Sequence, residues 1–257
     1  MRPLCTLLLA ALPMLAAGPF TGTWKIDVSK AMFSDKPDTI ELGNGIYKCP
    51  TCDPPITVKA DGVDHPVSGS PAYDTMSVRI IDDHTVKVFA KKDGKVGYQQ
   101  KTVVAPDGMT ETVSFTSFPP AGAQPVTGTV SLRRVSKAEP GMHAVSGSWV
   151  AEKAENISDN GLTATFDETA DGLKMTQPTG EHYDAKFDGK EYTYEGSAEL
   201  NQVVLKRIDA HTIEETDKRD GEFRGKAKMT VSPDGRTMKM VVEDRQGRIS
   251  TFIWNKQ

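Results

Sequence analysis

The chain has 257 residues, 37% of them hydrophobic and 26% charged, a soluble globular composition with length for one or two domains. Its 31 Lys and Arg against 35 Asp and Glu leave a net charge of −4, which argues against nucleic acid or an anionic membrane surface as a partner.

The chain opens with Met1-Arg2-Pro3, continues as an apolar run from Leu4 to Leu15 and ends in Ala16, Ala17 and Gly18. This charged, apolar, small-residue order predicts a secretory signal over residues 1–18. The apolar run is shorter than the ~20 residues a membrane helix needs, and Pro13 interrupts it. Cys5 lies inside the apolar region rather than at the cleavage point, so neither a lipid nor a stable membrane anchor is expected. The expected location is periplasmic or secreted.

A duplication dominates the rest. Residues 59–110 align with 186–237 at a constant offset of 127, with 18 of 52 positions identical. The shared positions include Ile81-Asp82-x-His84-Thr85 with Ile208-Asp209-x-His211-Thr212, and Pro106-Asp107-Gly108 with Pro233-Asp234-Gly235. Most are turn formers, so the copies share the placing of their chain reversals. Upstream, Gly22-Thr23-Trp24 answers Gly147-Ser148-Trp149. The repeat predicts one unit over 20–135, a polar linker over 136–144 broken by Pro140-Gly141, and a second unit over 145–257.

Between the turn signals the segments alternate with period two. Met76 and Val78, Val86 and Val88, Val203 and Leu205, and Met238 and Met240 each fall on one face of a strand. Asp-Gly pairs at 93–94, 107–108, 188–189, 220–221 and 234–235 separate such runs as hairpin signals. At most one helical turn is expected, near Ser29 to Phe33. The expectation is all-β: two tandem antiparallel barrels of about eight to ten strands each, because a meander with one apolar face must find a second sheet or close on itself.

The opening Gly22-Thr23-Trp24-Lys25-Ile26-Asp27, followed by a tightly turned meander, resembles that of a lipocalin or calycin barrel. The whole copy is similar to small secreted bacterial lipocalin-like domains. In that family the Trp plugs the closed end beneath a basic residue of the last strand. The resemblance therefore implies Trp24 partnered by Arg133 or Arg134, and Trp149 partnered by Lys256.

Few residues carry chemistry. Cys49-Pro50-Thr51-Cys52 runs into Asp53-Pro54-Pro55, which cannot begin the helix of a thioredoxin-like site, so a local disulfide is the favoured reading; zinc or redox chemistry, with His65 nearby, is the alternative. His84 and His211 sit in equivalent Asp-x-His-Thr turns and read as turn residues rather than general bases. Glu215 and Asp217 share a strand face with Ile213, and the aligned Val86, Val88 and Ala90 of the first copy are apolar. Glu215 and Asp217 are thus either interior ligand contacts or solvated rim carboxylates, and Tyr192 and Tyr194 belong either to the core or to a pocket. On this register the second barrel's interior is expected to be the more polar.

No hydrolase signature or phosphate-cradling loop appears, and no cofactor or metal is expected. The first functional reading is a non-enzymatic exported protein holding a small amphiphilic or lipid-like ligand in one or both barrels. An envelope structural or protein-interaction module with solid barrels is the alternative, its protein partner unspecified. A third reading makes Glu215 an acid or base on a calycin scaffold.

Overall fold

The structure is a computed structural model that describes residues 18–120, 122–137 and 139–257. The predicted signal segment lies outside the described residues except for Gly18. The first strands are β1 (Gly22–Ile26), β2 (Asp38–Gly43), β3 (Ile46–Cys49), β4 (Ile56–Lys59), β5 (His65–Pro66) and β6 (Thr75–Asp82). Longer hairpins follow: β7 (Thr85–Lys92), β8 (Lys95–Val104), β9 (Thr110–Ser117), β10 (Val126–Lys137) and β11 (Gly147–Glu155). The C-terminal part continues with β12 (Thr163–Glu168), β13 (Gly172–Thr176), β14 (His182–Lys186), β15 (Asp188–Glu195) and β16 (Gln202–Asp209). It ends with β17 (Thr212–Arg219), β18 (Glu222–Val231), β19 (Thr237–Asp244) and β20 (Ile249–Lys256). Helix among the described residues is confined to two 3-10 turns, Val28–Lys30 and Asp159–Gly161.

The turn chemistry explains the meander. Asp93 and Gly94 (φ 50° and 76°) and Asp220 and Gly221 (52° and 80°) are left-handed at both central positions. That is the two-residue turn whose twist matches the flanking strands. Asn44-Gly45 (50° and 71°) joins β2 to β3 in the same way.

The strands form two consecutive ten-stranded antiparallel barrels. One runs β4-β3-β2-β11-β10-β9-β8-β7-β6-β5; Asp61 bridges Arg79, and the Gly62 amide donates to the Val78 carbonyl at 2.9 Å, bringing the chain after β4 back onto β6. The other is closed by β1, which lies between β12 and β20.

This closure corrects the unit boundaries drawn from the repeat. Barrel one spans 38–155 and includes β11, the second copy's Gly-x-Trp strand. Barrel two is 163–256 plus the first copy's strand, β1. The predicted linker over 136–144 does not join the barrels: Ser136 and Lys137 end β10, residues 139–144 lie between β10 and β11 within barrel one, and the chain passes between barrels at 27–37 and 156–162. The reason is local. Strands adjacent in sequence tend to pair, and β11 folds directly onto β10 with register Arg134 to Trp149. The last seam, beside β20, is filled by the N-terminal strand, with Trp24 opposite Lys256.

Both tryptophans are buried, Trp24 at 0% and Trp149 at 1% exposure. Trp24 donates its indole N–H to the Phe20 carbonyl at 2.7 Å, and Trp149 to Val145 at 2.9 Å. The basic partners are exchanged relative to the expectation. Lys256 stands over Trp24, with Nζ 5.0 Å from the ring centre, and the Arg134 guanidinium over Trp149 at 4.0 Å. Arg133 instead pairs with Glu152 on the surface at 2.7 Å. Each cation over a buried ring is worth ~0.5–2 kcal/mol. The Glu168 carboxylate anchors the N-terminal strand by accepting from the Phe20 amide at 3.0 Å and pairing with Arg207.

Candidate functional site

The tryptophans mark one end of each barrel, and the opposite ends face each other. In barrel one that end carries the β7–β8 turn, the β9–β10 loop and the β3–β4 loop; in barrel two it carries 177–181, 196–201 and 245–248. Arg245 pairs with Asp53 at 2.7 Å and Arg248 with Asp38 at 2.9 Å, while Gln246 and Arg248 both donate to the Thr51 carbonyl at 2.7 Å. Cys49 and Cys52 form the expected disulfide. The bond occupies both thiols, which removes them as zinc ligands, and it holds the loop that receives these three side chains.

A cleft of about 680 Å³ lies between the two mouths, lined by Tyr73, Ala90, Tyr98 and Phe118 from barrel one and by Thr179, Glu181 and Glu199 from barrel two. Behind it, inside barrel one, is a cavity of about 190 Å³. The two lie one behind the other along the same strands. On β8, Tyr98 faces the cleft while Gln100 and Thr102 line the cavity; on β7, Ala90 faces the cleft while Val88 and Val86 line the cavity. The Tyr98 hydroxyl donates to Gln100 Oε1 at 2.9 Å, Gln100 Nε2 donates to Thr102 at 3.3 Å, and the Tyr98 ring stacks on Phe115. Tyr98 thus stands at the boundary between cleft and cavity.

The deep wall of the cavity holds Glu111, on β9, at 5% exposure. Its Oε2 is buried without a hydrogen-bond partner. Arg134 is close enough to favour the charged form, but it is held by the Gly108, Ala144 and Ser146 carbonyls and makes no hydrogen bond to Glu111. Burial wins, with Asp38 adding to it, and the Glu111 carboxyl is pushed up to about 8. Burial likewise raises the Tyr47 hydroxyl, with Glu111 and Asp38 contributing.

Three of the four residues singled out in barrel two come together inside it. Glu215 accepts from the Tyr183 hydroxyl at 2.5 Å, and Asp217, one strand repeat further, is close enough for the two carboxyls to influence each other. Asp217 Oδ1 is buried without a hydrogen-bond partner. Burial and then the neighbouring Glu215 carboxyl raise Asp217. Tyr194 is buried at 6%, its ring 5.7 Å from that of Tyr183. Tyr192 is half-buried, packed against the margin of that core, with its hydroxyl bonded to Asp188 at an exposed edge. Around the pair the interior is filled by large side chains, among them Phe166, Met175, Leu205 and Met229.

Barrel one's interior is also polar, contrary to the contrast drawn from a single strand. Its polar residues, Gln100, Thr102 and Glu111, sit on β8 and β9, whereas the aligned Ala227, Met229 and Met238 of barrel two are apolar. Sequence reasoning missed Glu111; the signal was its alternation with Val113 on a strand whose partner in the other copy begins with a buried methionine. His84 and His211 are turn residues, each amide bonded to the aspartate two positions earlier at 2.9 and 2.8 Å. Among the described residues no three His, Cys, Asp or Glu side chains group as metal ligands. No protein-family model matches the chain, and no curated protein matches it, so the description of the site rests on its own geometry.

Proposed function

We propose that the protein is an exported, lipocalin-like, non-enzymatic binding protein that holds a small amphiphilic molecule in barrel one, with the ligand's outer part in the cleft between the mouths. The observation that carries this reading is the alignment of cavity and cleft along β7 and β8. A space of about 190 Å³ lined by Val86, Val88, Val113 and the disulfide, with a few placed polar groups, lies behind about 680 Å³ of partly apolar cleft on the same strands. Ligand sites typically occupy ~300–1,000 Å³ and combine apolar walls with a small number of polar contacts. Barrel two contributes part of the rim, and its own interior is occupied by side chains.

Native mass spectrometry of protein isolated without denaturation from its own cell envelope tests the proposal. The expected spectrum contains the chain with one additional small molecule. In the Val88→Trp variant, whose indole fills the cavity, that adduct disappears while the chain stays folded. A bare polypeptide mass in the native preparation, or an adduct that survives Val88→Trp, would overturn the reading.

A further inference from the structure

Given an occupant of barrel one, as proposed above, the geometry points to its chemical class: the inner end of the ligand is a protonated amine, seated on the Glu111 carboxylate with a short aliphatic chain behind it. The site is built before the ligand arrives. Glu111 is 5% exposed, its Oε2 has no protein donor, and the side chain lines the cavity. An orphaned acceptor in a buried position is destabilising unless something supplies the missing donor, and an ammonium head brings three.

The surrounding charges favour a cation over an anion. The ionisable groups lining the cavity are Asp38, Tyr47 and Glu111, with no Lys or Arg among them. Asp38 is already paired with Arg248. Arg134, the one base near Glu111, is committed to three backbone carbonyls and to the Trp149 ring. The polar groups above Glu111 satisfy one another, since Gln100 accepts from Tyr98 and donates to Thr102. The remaining wall is apolar, largely aliphatic with the disulfide and Trp149, which suits the methylenes of the ligand.

Protonated Glu111 is the resting form, so seating an ammonium there displaces a proton. Asp38, Tyr47 and Arg134 are the titratable groups that face it. Amine binding should therefore release about one proton below pH 8 and tighten as the pH rises towards 8.

The test compares three probes of matched length, hexylamine, hexan-1-ol and hexanoate, titrated calorimetrically into the full-length mature protein at pH 7 in two buffers of different ionisation enthalpy. The expected result is hexylamine binding at least tenfold tighter than either competitor, with proton release. Glu111→Gln, which keeps the shape of the side chain, should lose that preference while retaining hexanol binding. Equal binding of amine and alcohol, or an undiminished amine preference in Glu111→Gln, would overturn the amine assignment but leave the binding function standing if Val88→Trp abolishes binding of all three. If none of the three binds and the native preparation carries no adduct, both readings fall.

Discussion

The two barrels are copies in which the interior polar groups have changed places. At corresponding rungs, Val88 faces Gln100 across β7 and β8, whereas Glu215 faces Ala227 across β17 and β18; Ala90 faces Tyr98, whereas Asp217 faces Gly225. Each barrel thus keeps one polar and one small or apolar member per rung, on opposite strands. The consequences differ. In barrel two the buried Glu215 carboxyl is met by Tyr183 and by Asp217, and aromatic and methionine side chains fill the remaining space. In barrel one Glu111 has no such partner and stands against a cavity. Both copies bury unpartnered polar atoms, Asp217 Oδ1 among them in barrel two and Glu111 Oε2 in barrel one, but of these two only Glu111 stands against a cavity; buried polar groups are costly when orphaned, and the orphan in barrel one is the one with space beside it for a ligand.

The largest effects should come from the exchanged tryptophan strands. Trp24→Ala and Trp149→Ala should each cost about 3–5 kcal/mol, and hydrogen exchange should locate the loss in the opposite half from the repeat: Trp24→Ala loosens 163–256 and Trp149→Ala loosens 38–155. Deprotection confined to the repeat that contains the substitution would break the strand-exchange account. Replacing Cys49 and Cys52 by serine opens a very short loop and should cost about 2 kcal/mol on loop-entropy grounds. In a chemical denaturation followed by residue-resolved exchange, that loss belongs to barrel one.

The buried acids sharpen the comparison through pH. The Glu111 carboxyl is raised from 4.5 to about 8 in the fold, so between these values the folded chain holds a proton that the unfolded chain releases. Its contribution to stability is therefore present at about pH 5 and is lost progressively as the pH rises to about 8. Glu111→Gln should flatten this slope in urea midpoints measured across that range. In barrel two, Asp217→Ala installs the residue that barrel one has at Ala90 and removes a buried acid raised in the same direction. It should stabilise barrel two by ~1–3 kcal/mol at pH 8, read from the denaturation midpoint. The smallest effect belongs to the contact between mouths: Arg245→Ala removes a partly exposed ion pair with Asp53 and should cost under ~1 kcal/mol, measured as a shift in thermal midpoint.

Much of the fold could be read from local chemistry. Four of the five Asp-Gly pairs sit between consecutive strands and the fifth, Asp188-Gly189, opens β15; in all five the glycine is left-handed, a backbone that excludes most other residues. Asn44-Gly45 carries the same signal and was overlooked. Alternation in register with Val88 and Ala90 put Glu215 and Asp217 on one strand face but left them open between the interior and a solvated rim, and the assembled barrel buries them. Tyr192 shares that alternation with Tyr194 yet ends at an edge beside Asp188, since period two assigns a face but not a depth. Glu111 was hidden because one charged residue at a strand start looks like a solvated end until the opposite wall is in place.

By itself the sequence determined the all-β class, the duplicated meander and the hairpin sites, all of which follow from backbone preference and side-chain alternation along a single strand or turn. Tertiary structure decided which barrel each Gly-x-Trp strand completes and where a space remains. In a closed barrel the first strand neighbours the last, so a strand that can fill one seam can also fill the equivalent seam of the other copy. Connectivity between β10 and β11 selects the partner, and the sum of side-chain volumes from ten strands, rather than the character of any one residue, leaves the cavity beside Glu111.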